Sequence, residues 1–212
     1  MTVVDRAVRI GLTGPIGCGK STVAGWLARR RDTVAIDADQ IAREVLNPGT
    51  TEVEAVYRRF GEALRSPSGT LDRAALGRIV FADPAALRDL ESIVHPAVRP
   101  RILDAIAAAE ASGAAAVVIE AIKLVEGGLA DLCDEIWLVT CDPRTQLERL
   151  VGRGDDPADA AARMAAQGDL SDRLRSRATK VIETTGPADP VRHRVQGALD
   201  DLLRPGGAQA PA

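Results

Sequence analysis

Aromatic side chains are scarce, at 2% of 212 residues. The core must therefore be built from Ala, Val, Leu and Ile, and single-stranded nucleic acid finds no platforms on which its bases could stack. Lysine is also rare, present only at Lys20, Lys123 and Lys180, so arginine carries nearly all the positive charge. Planar arginine forks suit phosphate oxygens, although a general preference for arginine explains most of this imbalance without a function. The net charge of -3 gives no reason to expect a partner in DNA or in an anionic membrane. Three cysteines, Cys18, Cys133 and Cys141, form neither a disulfide framework nor a paired CxxC metal site, and their usage reads as that of a reducing cytoplasm. No apolar leader opens the chain at Met1-Thr2-Val3-Val4-Asp5-Arg6. The longest apolar stretch, Ala114 to Ile119, is far too short to span a bilayer.

What is present is ordinary globular composition, 46% hydrophobic and 27% charged. The length suits one α/β domain with a small inserted lobe, and a chain of this size hides roughly 70% of its unfolded surface. The sequence predicts strands at Val8 to Thr13, Thr33 to Ile36, Ala115 to Ile119, Glu135 to Thr140 and Lys180 to Ile182. It predicts helices at Lys20 to Arg31, Arg144 to Gly152 and Pro190 to Leu203. The polar, Arg-rich segment Asp156 to Arg177 is helix-prone. Between Gln40 and Ser112 the pattern is mostly helical, with breaks expected at Asn47-Pro48-Gly49, Ser66-Pro67-Ser68-Gly69, Asp83-Pro84 and His95-Pro96. Strands alternating with helices imply a parallel, doubly wound sheet with helices on both faces. The expected organisation is a core at 1–48 and 113–204, a helical acceptor lobe at 49–112, a lid at 153–177 and a disordered tail at 205–212.

The strongest motif is Gly14-Pro15-Ile16-Gly17-Cys18-Gly19-Lys20-Ser21, which fits G-x-x-x-x-G-K-[ST]. Its glycines let main-chain N–H groups curl around a triphosphate, and the helix that follows points its positive end at the same anion. Lys20 can reach the β- and γ-phosphates, and the Ser21 hydroxyl can ligate Mg²⁺. The match follows a predicted strand and opens a predicted helix, which is the context a phosphate loop requires. It makes Gly14, Gly17, Cys18, Gly19, Lys20, Ser21 and Thr22 the candidate ATP contacts. No D-x-x-G and no N-K-x-D occurs in the chain, so a regulatory GTPase is not indicated. A second clue is Asp37-Ala38-Asp39, two carboxylates at the end of the second strand, expected beside the phosphate loop. A carboxylate there can accept the proton of an attacking hydroxyl. Asp39 can equally be the N-cap of the next helix. Glu120 ends an apolar strand, as a metal-organising acid should.

Read together, these segments resemble the dephospho-CoA kinase family. Leu12-Thr13-Gly14 through Gly19-Lys20-Ser21-Thr22 is similar to its first motif, and Asp37-Ala38-Asp39 through Ala42-Arg43-Glu44-Val45 to its second. Pro48-Gly49-Thr50, Phe60-Gly61, Gly69-Thr70-Leu71-Asp72-Arg73, Val80-Phe81, Ile93-Val94-His95-Pro96 and Ala165-Ala166-Gln167 follow in the family's order. The resemblance implies a P-loop, nucleoside-kinase-like fold and transfer of phosphate from ATP, with Mg²⁺, to the ribose 3'-hydroxyl of dephospho-CoA. It implies a cytoplasmic enzyme, a monomer or weak homo-oligomer, without nucleic-acid or membrane partners. It casts Lys20 as the cation on the transferring group, Asp39 as the base and Arg149 on the ATP phosphates, with Arg153 as the alternative arginine. Asp37, Arg43 and His95 would bind substrate, and Ser21 with Glu120 would hold the metal. His95 can also be a structural histidine, and each arginine a solvated surface charge.

The chain departs from the family at Glu120-Ala121-Ile122-Lys123-Leu124-Val125-Glu126, where Asp-x-Pro-Leu-Leu-Phe-Glu is usual. The departure bears on how the acceptor is held rather than on phosphate chemistry. Ala178 to Gly186 keeps the frame of an adenine-side loop without the usual Asp and Asn. Another small-metabolite or nucleoside monophosphate kinase, and a non-catalytic ATP-binding regulator, remain open on the residues alone. For Cys18 two readings stand: a thiolate sensitive to oxidation inside the phosphate loop, or a small filler.

Overall fold

The computed structural model describes residues 6–204. The opening residues, in which no leader is expected, and the tail at 205–212, expected to be disordered, lie outside the described residues. In chain order the elements are β1 (Val8–Thr13), α1 (Lys20–Leu27), β2 (Thr33–Asp37), α2 (Ala38–Val45), α3 (Thr51–Phe60), α4 (Arg73–Ala82) and α5 (Pro84–Ala111). There follow β3 (Ala116–Glu120), β4 (Glu135–Thr140), α6 (Pro143–Val151), α7 (Pro157–Gln167), α8 (Leu170–Arg175), β5 (Lys180–Glu183) and α9 (Ala188–Leu202).

The five strands form one sheet in the order β2-β3-β1-β4-β5. β1 pairs in parallel with β3 and with β4, and β4 in parallel with β5. The registers Leu12 to Glu120, Thr13 to Leu138 and Thr140 to Glu183 bring the C-terminal ends of these four strands to one edge, the edge where open α/β sheets bind ligands. Alternate residues face opposite layers. Ile10, Leu12, Ala116, Val118, Trp137, Val139 and Ile182 pack with Val23 and Leu27 of α1 and with Val191, Val195 and Leu199 of α9. On the other face Leu138 packs with Leu170 and Leu174 of α8. Cover on both faces is why these strands read as continuous apolar runs rather than as alternating ones.

Asp-Pro recurs at helix starts. Asp142 accepts the Thr145 N–H before Pro143 opens α6, Asp156 accepts the N–H groups of Ala158 and Asp159 before α7, and Asp83 precedes Pro84 at the start of α5. Proline at the first helical position gives up a donor that has no partner there anyway. No side chain caps α1, α8 or α9.

Two expectations are corrected. The break expected at His95-Pro96 does not occur: α5 runs through both Pro96 and Pro100. Each interior proline removes one helical hydrogen bond and costs about 3 kcal/mol. Val94, Val98, Ile102 and Ile106, spaced four apart, form a buried stripe across the prolines, and four buried aliphatic side chains at about 1.5–3 kcal/mol each offset the cost of the two prolines. The predicted cap at Asp39 belongs instead to Asp37, whose carboxylate accepts the Gln40 N–H at 2.8 Å, while Asp39 lies in the first turn of α2.

Asp37–Ile106 forms one compact unit, and the described residues before and after it form the other. The first contains α2 to α4 and most of α5, with Val53, Val56, Tyr57 and Leu76 buried. The second contains the sheet, apart from the last residue of β2. No helix among the described residues is long and apolar enough to cross a membrane.

Candidate active site

The phosphate loop joins β1 to α1. Gly14, Gly17 and Gly19 hold φ values of 143°, 78° and 90°. At Gly14 the reason is close approach as well as conformation, because a Cβ there would sit 2.1 Å from the Val139 carbonyl oxygen. The loop thus lies directly on the end of β4. Its tip is clamped from two sides: Gln146 Nε2 of α6 donates to Ile16 O at 2.7 Å, and Ile16 N–H donates to Gln167 Oε1 of α7 at 2.9 Å. The first turn of α1, free of any side-chain cap, leaves its N–H groups for an anion.

Lys20 is 7% exposed, and its ammonium donates to Gly14 O at 2.9 Å and to Pro15 O at 3.2 Å. The cation is therefore held over the loop by the loop's own carbonyls. One residue on, the Ser21 hydroxyl donates to Glu120 Oε1 at 2.7 Å. Glu120 is buried at the end of β3. A hydroxyl and a carboxylate at hydrogen-bond distance are hard oxygen donors of the kind Mg²⁺ accepts, with phosphates and water completing its shell. Thr22, also in the motif, is exposed on α1.

Cys18 differs from its motif neighbours. Its side chain is 1% exposed and packs in the core cluster with Val23 and Ile182, so burial supports the filler reading and not the accessible sensor. A hydrogen bond from the Cys141 thiol holds Cys18 below the usual thiol range against the opposing cost of burial, with Lys20 and Arg149 adding to the effect. The same bond raises Cys141. What Cys18 offers a nucleotide is its main chain.

Arg149, on the last turn of α6, lies beside the loop: a Cβ built on Gly19 would be 3.5 Å from its Nη1. Its guanidinium donates through Nη1 to Thr184 Oγ1 at 2.9 Å and through Nη2 to Thr184 O at 2.7 Å. The Thr184 hydroxyl is within 2.8 Å of Cys18 O and 3.0 Å of Thr140 O. Arg153, the alternative arginine, is exposed in the turn after α6. A cavity of about 220 Å³ opens next to Arg149 and is lined by Gly19, Thr22, Trp26, Arg149, Thr184 and Val191 among others.

The other candidates belong to the Asp37–Ile106 unit. Asp37 caps α2 and lies 3.7 Å from Arg43 Nη2. Arg43 is exposed, and its carbonyl accepts from Arg73 Nη2 at 2.7 Å. His95 is exposed on α5, so it fills no structural slot in the interior.

The motif reading missed Gln146, Thr140 and Thr184. All three are buried polar residues, and of the seven such residues among the described positions only Thr33 lies away from the loop and its supports. Polar residues inside otherwise apolar stretches are the signal that was available.

The family model for dephospho-CoA kinase matches residues 8–189. The chain is 45% identical over 210 residues to a dephospho-CoA kinase of Streptomyces avermitilis, covering 95% of this chain and 99% of that protein. Among solved structures, a Thermus thermophilus protein superposes with a TM-score of 0.78 at 33% identity, covering 93% of this chain and 99% of that one. Dephospho-CoA kinase from Campylobacter jejuni superposes with a TM-score of 0.67 at 26% identity, covering 92% and 97%.

Proposed function

The chain belongs to the dephospho-CoA kinase family, and we propose that its phosphate loop and Arg149 act on ATP while Asp39 acts on the acceptor. The reaction is ATP-dependent phosphorylation of dephospho-CoA at its ribose 3'-hydroxyl, giving coenzyme A and ADP. Phosphoryl transfer of this kind needs little covalent help from the protein and depends on positioning and on fixed positive charge. In this assignment the loop N–H groups and the α1 terminus hold the β- and γ-phosphates, and Lys20 neutralises the transferring group. Arg149 places a second cation at the triphosphate, and the cavity beside it takes the adenine. Ser21 and Glu120 would hold Mg²⁺, which when bound draws charge off the phosphate oxygens. Asp39 accepts the proton of the 3'-hydroxyl as that oxygen attacks, with Asp37, Arg43 and His95 binding the rest of the acceptor. Segment 153–177 serves as a lid that excludes water, the competing acceptor.

The observation that most supports the nucleotide half is the pairing of Ser21 Oγ with buried Glu120 at 2.7 Å, one residue from a buried lysine. Three free thiols agree with a cytoplasmic enzyme, and we take it to act as a monomer or weak homo-oligomer without nucleic acid or membrane. The direct test is ADP release measured with and without dephospho-CoA. Acceptor-dependent turnover is expected, and ADP release that ignores the acceptor refutes the assignment.

A further inference from the structure

We infer that Thr184 is a positioning residue that ties Arg149 to the main chain of the phosphate loop, so that cation and loop donors share one geometry. The side chain is 4% exposed and follows the end of β5. Its main-chain N–H already serves the fold, since it donates to Thr140 O at 2.9 Å. The hydroxyl has separate work. It carries one proton and two lone pairs. Arg149 Nη1 donates to it at 2.9 Å. The proton goes best to Cys18 O at 2.8 Å, because Thr140 O, at 3.0 Å, already accepts the Thr184 N–H.

Cys18 O shares a planar trans peptide with Gly19 N–H, which points the opposite way. Holding that carbonyl therefore fixes the direction of one loop donor. A single hydroxyl thus sets both Gly19 N–H and the Arg149 guanidinium, two groups from segments 130 residues apart in the chain (149 minus 19). The inference rests on the proposed role of Arg149 as the second cation on the triphosphate.

The test is steady-state kinetics, with urea unfolding, of Thr184→Val, Thr184→Ala, Thr184→Ser, Arg149→Ala and the double variant Thr184→Val with Arg149→Ala. Removing a buried bond to a charged group should lower kcat roughly 10- to 100-fold in the Val and Ala variants. KM for dephospho-CoA should stay within about twofold. Thr184→Ser, which keeps the hydroxyl, should stay within about threefold of wild type. The double variant should be slower than Arg149→Ala alone by less than the factor Thr184→Val shows in wild type, because the two changes share the Arg149 bond while only Thr184→Val also releases Cys18 O. The inference is overturned if Thr184→Val keeps kcat within about threefold while Arg149→Ala loses it, or if Thr184→Ser is as slow as Thr184→Val. It is also overturned if the two losses multiply, or if kcat falls only in step with the urea midpoint. Full turnover in Arg149→Ala would overturn the role of Arg149 itself, which separates the two readings.

Discussion

Gly14→Ala offers a test of the site's construction in which geometry sets the magnitude. A Cβ at Gly14 would lie 2.1 Å from Val139 O and 3.0 Å from Val139 C. Both are main-chain atoms of β4, the strand between β1 and β5 in the sheet, so neither can swing aside. Restoring van der Waals contact requires the loop to lift by roughly 1 Å. Overpacking of this kind costs about 1–3 kcal/mol. The φ of 143° adds about 1–3 kcal/mol for any residue with a Cβ, for an expected loss of about 2–6 kcal/mol, centred near 4. Gly113 supplies the control. Its φ is 83°, it lies in the same compact unit, and a Cβ there meets nothing within 4 Å. Gly113→Ala should thus cost only the conformational part, about 1–2 kcal/mol. With a urea slope of about 2 kcal/mol per molar, the midpoints should fall by roughly 2 M for Gly14→Ala and by less than about 1 M for Gly113→Ala. Activity should separate them further. A displacement near 1 Å at the reacting groups costs on the order of 10²-fold, so Gly14→Ala should lose that much kcat and Gly113→Ala almost none. Equal urea midpoints for the two variants would refute the close-approach argument, and full kcat in folded Gly14→Ala would refute the fixed placement of the loop.

Lys20→Ala should fold and lose at least about 10² in kcat, because the transferring group loses a fixed cation; turnover within threefold of wild type would contradict its role. Asp39→Asn should lower kcat by roughly 10² to 10⁴ while ATP binding, followed by equilibrium titration, persists; a collapse of ATP affinity would make Asp39 a metal or structural residue instead. Burial pushes the Cys133 thiol from 9.0 up to about 12. A folded-state value above the unfolded one means that this thiol's contribution is fully present below pH 9 and is lost as pH rises through about 12. Urea midpoints measured across that window should fall more steeply for wild type than for Cys133→Ala, and parallel curves would show that Cys133 is not the group responsible.

The loop, the strands and most helix starts were legible because their determinants are local. A strand that runs into glycines and then Lys-Ser can be read within fifteen residues, and Asp-Pro marks a helix start within two. The cap was misassigned between Asp37 and Asp39, although the spacing of Asp37 and Gln40 is that of a cap residue and its N3 partner and favours Asp37. Pro96 misled for a different reason. A local rule set the break, while the buried spacing of Val94, Val98, Ile102 and Ile106, a property of the whole helix, decided the outcome.

The supports of the loop were illegible on deeper grounds. Gln146, Gln167 and Thr184 all bind main-chain atoms of the loop, namely Ile16 O, Ile16 N–H and Cys18 O. Every residue has a carbonyl, and every residue but proline an N–H, so such a bond leaves no mark on the residue type at its far end. The near end is also unspecific, since glutamine and threonine are usually surface residues. The separations are 130, 151 and 166 residues, which places each partner outside the window of the phosphate-loop motif; Gln167 is marked only as part of the family segment Ala165-Ala166-Gln167. The sequence therefore shows that a phosphate loop is present but not what holds it still. The loop's own glycines make that holding necessary, because residues that can adopt positive φ are also those with the most conformational freedom to lose. Rigidity at this site has to come from outside the motif, and for Gln146 and Thr184 the only sequence signature is a polar residue in a place where burial would otherwise select an apolar one.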